Sequence, residues 1–78
     1  MIKTATGKEF ETSLVAAMTQ SQKLFVTIVG STFQEVADTF GNPEETKLLT
    51  HGPDVYRGYV LSAILVEGSN YRVNLVRK

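Results

Sequence analysis

The chain has 78 residues, with eight basic and eight acidic side chains and no cysteine. This length allows one domain, residues 1–78, that buries only roughly 60–65% of the surface of the unfolded chain. No disulfide can supplement that core. The zero net charge argues against a module held to nucleic acid mainly by phosphate contacts, because such modules carry a basic excess.

No segment approaches the ~20 apolar residues of a membrane span. Residues 1–20 carry polar groups throughout and lack the apolar block of a signal peptide. We therefore expect a cytoplasmic protein without membrane contact.

Two short alternating segments open the chain and predict a β-hairpin. Residues 1–5 and 8–11 flank Thr6 and Gly7, and Gly7 supplies the positive φ that a tight turn needs. Residues 14–18 are apolar and predict the end of the second strand or a separate short strand. A helical turn is the alternative there, because alanine and methionine have high helix propensity.

Residues 23–29 predict a strand that is apolar on both faces. One face carries Leu24, Val26 and Ile28, and the other carries Phe25 and Val29 with Thr27 between them. Such a strand is typical of the middle of a packed structure.

A capped helix is predicted over residues 32–40. Ser31 or Thr32 can cap it, since Gln34 and Glu35 stand three residues later. One apolar stripe follows the helical spacing: Phe33, Val36, Ala37 and Phe40. Gly41, Asn42 and Pro43 end the helix, and residues 43–45 can start one further helical turn.

The C-terminal half predicts extended structure. Residues 47–51 are followed by the turn Gly52-Pro53-Asp54, and residues 55–67 form the longest extended stretch, with a bend or bulge at Gly58. Strict alternation places Tyr59, Leu61, Ala63 and Leu65 on one face and Val60, Ser62, Ile64 and Val66 on the other.

Residues 68–70 then turn the chain into a last alternating strand. Tyr71, Val73 and Leu75 are expected to face the core, while Arg72, Asn74 and the charged end, Arg77 and Lys78, face water.

These elements predict a β-rich α+β fold. A curved, mostly antiparallel sheet or a small open barrel packs against one helix, at about residues 32–40. The expected core contains Ile2, Phe10, Val26, Ile28, Phe33, Val36, Phe40, Leu61, Ile64, Val73 and Leu75. The order of elements also matches the oligonucleotide-binding barrel.

Catalytic and metal chemistry has little support in this sequence. His51 is the sole histidine, and with Asp54 and the pair Glu44-Glu45 nearby it could supply a general base or a metal ligand. A polar turn explains the same residues. Gly30-Ser31-Thr32 opens a helix as phosphate loops do, but it lacks their further glycines and lysine. We predict no catalytic residue, no metal and no cofactor.

Two binding hypotheses remain. The first is a protein–protein interaction or self-association made through strand edges, with Lys3, Lys8 and Glu9 guarding the N-terminal edge. The second is a single-stranded nucleic-acid site, because stacking aromatics beside arginines are what such modules use. Its residues would be Tyr56, Arg57, Tyr59, Tyr71 and Arg72. Half-buried strand tyrosines explain the same pattern, so we favour a protein partner.

Three segments carry a resemblance to known proteins: IKTATGKEF, STFQEVADTFGNPEET and YRVNLVRK. With them the whole chain resembles short uncharacterised proteins of phage and prophage genomes of Gram-positive bacteria. The resemblance implies an accessory or assembly protein that acts by protein contact, in the host cytoplasm or in the virion. It implies no functional residues.

Overall fold

The computed structural model describes residues 1–77, which contain eight strands and two short helices. Every strand pairing is antiparallel, and the strands form two four-stranded sheets. The predicted β-rich α+β class is therefore confirmed, with two sheets in place of one curved sheet. The predicted position of Lys78 lies outside the described residues.

In chain order the elements are β1 (Ile2–Lys3), β2 (Glu9–Phe10), β3 (Thr12–Met18), β4 (Lys23–Ile28), α1 (Phe33–Phe40), α2 (Pro43–Thr46), β5 (Leu48–His51), β6 (Asp54–Arg57), β7 (Tyr59–Glu67) and β8 (Asn70–Arg77).

The smaller sheet has the strand order β2-β1-β5-β6. Its first hairpin is the predicted one, with Ile2 opposite Phe10 and Gly7 at φ +95° in the turn. Its second hairpin turns at the predicted Gly52-Pro53, so that His51 pairs with Asp54.

The larger sheet has the strand order β3-β4-β8-β7. β4 is an inner strand, as its apolar sequence predicts, and β3 is a separate strand. The helical alternative for residues 14–18 is therefore wrong. Pairing with β4 outweighs the helix propensity of Ala16 and Ala17, because propensity is a weak prior.

Helix α1 begins at the predicted cap. The Glu35 amide donates to the Thr32 hydroxyl at 3.2 Å, and the helix ends at Gly41. Its core face carries Val36 and Phe40. α2 is a second short helix, where the sequence indicated one helical turn.

Phe33 is a correction to the predicted core. Its ring is half exposed and packs edge-to-face on Tyr71, with 5.7 Å between ring centroids. Phe33 is the first residue of α1, so it lies at the rim of the sheet, whereas Val36 and Phe40 point into the core. Helical spacing identifies a stripe, but it does not reveal how far the stripe extends beyond the sheet.

The extended stretch of residues 55–67 divides at Gly58, where φ is +77°. β6 belongs to the smaller sheet and β7 to the larger one. Within β7 the register shifts between Leu61 and Ala63. This bulge puts Ile64 opposite Val73 and Ala63 opposite Asn74, so the strict alternation predicted for this strand is wrong beyond Leu61.

One cluster of buried side chains joins both sheets and α1. Its members are Ile2, Phe10, Leu24, Val26, Ile28, Val36, Phe40, Leu49, Tyr59, Val73 and Leu75. Leu24, Leu49 and Tyr59 were not in the predicted core, and the predicted Leu61 and Ile64 are partly buried against it. Phe10 and Phe40 contact each other within it, with 5.2 Å between ring centroids.

Candidate functional site

The five residues predicted for nucleic-acid binding do not share one face. Tyr59 is buried in the core, and Tyr56 packs edge-to-face against it at 6.3 Å between ring centroids. Burial, and secondarily the Asp54 carboxylate, raises the pKa of the Tyr56 hydroxyl. The Arg77 guanidinium covers the Tyr59 ring at 5.6 Å. Tyr59 is thus a residue of the core, and Tyr56 packs against it.

Tyr71 and Arg72 lie on opposite faces of the larger sheet. Tyr71 is opposite Ile28, packs against the core and contacts Phe33. Arg72 is opposite Thr27, on the other face, where it forms an ion pair with Glu67 at 3.2 Å. Arg57 is exposed at the end of β6, in the smaller sheet.

Glu45 is the buried ionisable group that links the N-terminal hairpin to α2. Its carboxylate accepts hydrogen bonds from the hydroxyls of Thr6 and of Thr4, the latter at 2.8 Å, and the Lys8 ammonium lies 3.2 Å away. The Glu45 carbonyl also accepts from the Ala5 amide at 2.9 Å. The two hydroxyls and Lys8 lower the pKa of this carboxyl from 4.5 to about 2, although burial acts in the opposite direction. Both carboxylate oxygens of Glu45 thus have partners, and we call this link between the N-terminal hairpin and α2 the tether.

The residues considered for catalysis or metal binding are not assembled into such a site. His51 and Asp54 face each other across a hairpin, while Glu45 is engaged in the tether and Glu44 pairs with Lys47 at 2.8 Å. Within residues 1–77, no three His, Cys, Asp or Glu side chains are grouped so that they could hold a metal ion.

The largest unassigned feature is the side of the larger sheet that faces away from the core, which we call the outer face. The strand register fixes its members, because residues directly opposite each other share a face. Leu24, Val26 and Val73 point to the core, so their chain neighbours point outward. The apolar members of the outer face are Leu14, Ala16, Met18, Phe25, Val60, Ala63, Leu65 and Val76.

Three large apolar side chains of this face are open to solvent. Leu14 is 43% exposed, Met18 51% and Leu65 46%. Val36 and Phe40 of α1 lie in the buried cluster on the other side of this sheet. No element of residues 1–77 covers the outer face, although β4 has an apolar side chain at its centre, Phe25.

Six polar side chains share the outer face with the apolar ones: Lys23, Thr27, Glu67, Asn70, Arg72 and Asn74. Arg72 is paired with Glu67, and Thr27 is buried between its neighbours. Lys23 lies at the margin of the face. The Asn74 side-chain oxygen and the Arg72 Nε are buried and have no hydrogen-bond partner among residues 1–77. A buried amide oxygen without a partner costs free energy.

The edges of the larger sheet are also weakly protected. β3 has no charged residue over seven positions, and β7 has a single one, Glu67 at its end. A bulge interrupts each of these strands, near Ser13 and near Ser62. Bulges are then the main protection that these edges have against pairing with another chain.

The sequence contains a signal for the outer face that reasoning from single elements missed. The prediction treated the second apolar face of β4 as buried within the monomer. The alternation of β3 places Leu14, Ala16 and Met18 on one side of the strand, but these residues were read only as an apolar run. Combining the two segments would have predicted the apolar face.

Comparisons with protein-family models, with curated proteins and with solved structures find no match to this chain. No helix within residues 1–77 has the length and apolar character needed to cross a membrane.

Proposed function

We propose that this protein is a non-catalytic interaction protein whose outer face binds another protein. The observation that carries the proposal is that Leu14, Met18 and Leu65 are about half exposed on a sheet face that has no covering layer. A sheet buries its apolar faces against further elements in stable architectures. Contiguous apolar patches of several hundred Å² mark interaction sites on soluble proteins.

The composition of the outer face also supports a protein partner. A polyanion such as nucleic acid requires several unpaired basic groups. Arg72 is already paired with Glu67 on this face, and Lys23 is at its margin. An apolar partner surface needs no such charges.

The alternative of a small single-stranded nucleic-acid-binding module has less support. It requires Tyr56, Tyr59 and Tyr71 to present their rings to solvent. Tyr59 is buried, and the other two are partly buried against the core. A phage or prophage setting stays a prediction of the sequence resemblance, and an assembly role fits the proposed mode of action.

Site-specific photo-cross-linking tests the proposal. A benzophenone amino acid is placed at Leu65 on the outer face and, as a matched control, at Val55, which is 51% exposed on the edge strand of the smaller sheet. In cells that produce the protein, we expect a discrete protein adduct from position 65 and none from position 55. Equal labelling at both positions, or no adduct at position 65, would contradict the proposal.

A further inference from the structure

We infer that the partner of the outer face is a second copy of this chain, packed face to face across a two-fold axis. This inference rests on the proposed function, because it names the occupant of the same surface. It adds the symmetry of the contact and the side chains that meet in it.

The area of the face fits a weak dimer. Four strands spaced ~4.8 Å apart and three rows of side chains along them cover roughly 20 by 20 Å, or about 400 Å² in projection. This is about a tenth of the accessible surface of 4583 Å², the share that a specific interface takes of a small protein. Two such faces bury roughly 800 Å², which is below the ~1,000 Å² of a stable interface and in the range of weak, transient contacts.

The charges of the face select no oppositely charged partner and are compatible with an identical one. The Arg72–Glu67 ion pair is closed within one copy, at 3.2 Å, so the face presents no strong field that would select an oppositely charged partner. Lys23 lies in the end row of the face, between Met18 and Val76, and is exposed. The chain has zero net charge, so two copies do not repel each other.

The alternation of large and small side chains makes the outer face complementary to the same face of a second copy. Along β3 the outward side chains run large, small, large, with Ala16 between Leu14 and Met18. In β7, Leu65 lies in the same row across the sheet as Leu14, and Ala63 lies in the same row as Ala16. We place the two-fold axis perpendicular to the strands, between the row of Leu14 and Leu65 and the row of Ala16 and Ala63. Each leucine of one copy then lies over an alanine of the other. Such an isologous contact is closed and stops at two copies.

The test is the solution mass of the native chain, measured by sedimentation equilibrium from about 5 µM to about 1 mM. We expect a reversible rise from the monomer mass of 8.6 kDa to twice that value, with a midpoint in the micromolar to submillimolar range, as befits a small interface. The double variant L14K/L65K should raise the midpoint concentration at least tenfold. The matched control V55K should leave it unchanged.

Two further measurements keep the test decisive. Far-UV circular dichroism and a urea melt verify that L14K/L65K folds, and if it does not, the single variant L65K replaces it. The chain has no cysteine, so A16C and V55C each carry one thiol for a short bismaleimide linker. We expect a linked dimer from A16C and only monomer from V55C.

A native chain that stays monomeric to 1 mM overturns the inference, as does a dimer that V55K weakens as much as L14K/L65K or that A16C does not link. The proposed function is judged separately by photo-cross-linking. A monomer that gives an adduct of another mass at position 65 leaves that function standing and removes self-association.

Discussion

The smaller and the larger sheet contribute to the same core, but they differ in what they present to solvent. The edges of the smaller sheet are β2, which has two residues and carries Glu9, and β6, which has Asp54 and Arg57 at its ends. The edges of the larger sheet are the almost uncharged β3 and β7, and its outer face exposes Leu14, Met18 and Leu65. The smaller sheet thus presents charged edge strands to water, whereas the larger sheet presents apolar side chains. The position of charge distinguishes the two sheets.

The largest effect should come from the core that both sheets share. Phe40→Ala removes a fully buried ring that contacts Phe10, and we expect a loss of about 3–5 kcal/mol in the free energy of unfolding. Phe33→Ala is the matched control, because its ring is half exposed, and it should cost clearly less. Urea denaturation measures both. Equal losses would mean that the first turn of α1 is buried as deeply as the last.

The second-largest effect on stability should come from the tether at Glu45, which holds the N-terminal hairpin of the smaller sheet. Glu45→Gln keeps the size of the side chain and one oxygen that can accept from Thr4 and Thr6, but it removes the negative charge and the oxygen that faces Lys8. We expect a lower urea midpoint at pH 7. Glu44→Gln is the control, since Glu44 is exposed and pairs only with Lys47, and it should leave the midpoint nearly unchanged. The idea fails if the two variants behave alike.

The same tether makes a pH prediction with a definite sign. The pKa of Glu45 is lowered from 4.5 to about 2 in the folded chain, so its contribution is fully present above pH 4.5. The contribution is lost as the pH falls towards 2, where the folded form also takes up the proton. The difference in stability between the native chain and Glu45→Gln should therefore shrink from pH 5 to pH 2. A difference that stays constant over this window would show that the carboxylate charge is unimportant.

Asn74 should give a smaller effect of the opposite sign. Its side-chain oxygen is buried without a partner on the outer face of β8. Asn74→Val removes this cost and supplies a residue that favours strands, so we expect a gain of about 1 kcal/mol in the free energy of unfolding. Asn70→Val, at the start of the same strand, is the comparison that should bring no gain. A destabilised Asn74→Val would mean that the amide is satisfied in solution.

The smallest effect on stability should come from the exposed members of the outer face. Met18→Gln and Leu65→Gln change side chains that are half exposed, and each should alter the free energy of unfolding by no more than about 1 kcal/mol. Each should nevertheless lower retention on a hydrophobic-interaction column, and Val55→Gln should lower it less. Equal losses of retention would mean that Val55 contributes as much to the exposed apolar surface as Met18 and Leu65, and would contradict the difference between the two sheets.

Local patterns in the sequence predicted most of the fold, and they failed where position depends on distant residues. The turn at Gly7, the cap at Thr32 and the break at Gly58 each follow from one residue and its neighbours. The bulge beyond Leu61 inserts one residue against β8, so strict alternation assigned Ala63 and Ile64 to the wrong faces.

The sites were less predictable than the fold for the same reason. The Glu45 tether joins side chains 41 positions apart in the sequence, which no local pattern reveals. The proposed tyrosine and arginine surface combined neighbours in sequence that the structure distributes over two sheets and two faces. The preference for a protein partner came from the zero net charge, which gives little support to phosphate binding, and it stays a prediction.

The position of β8 has a consequence for the order in which the molecule assembles. The hairpins β3–β4 and β7–β8 close between neighbouring segments, but the larger sheet becomes continuous only when Lys23 meets Val76 near the end of the chain. Pairings between distant segments slow folding, because the connecting chain must first be ordered. Until the last strand is available, β4 lacks one neighbour and the core is open along its length. We therefore expect the β4–β8 pairing to form after the two hairpins.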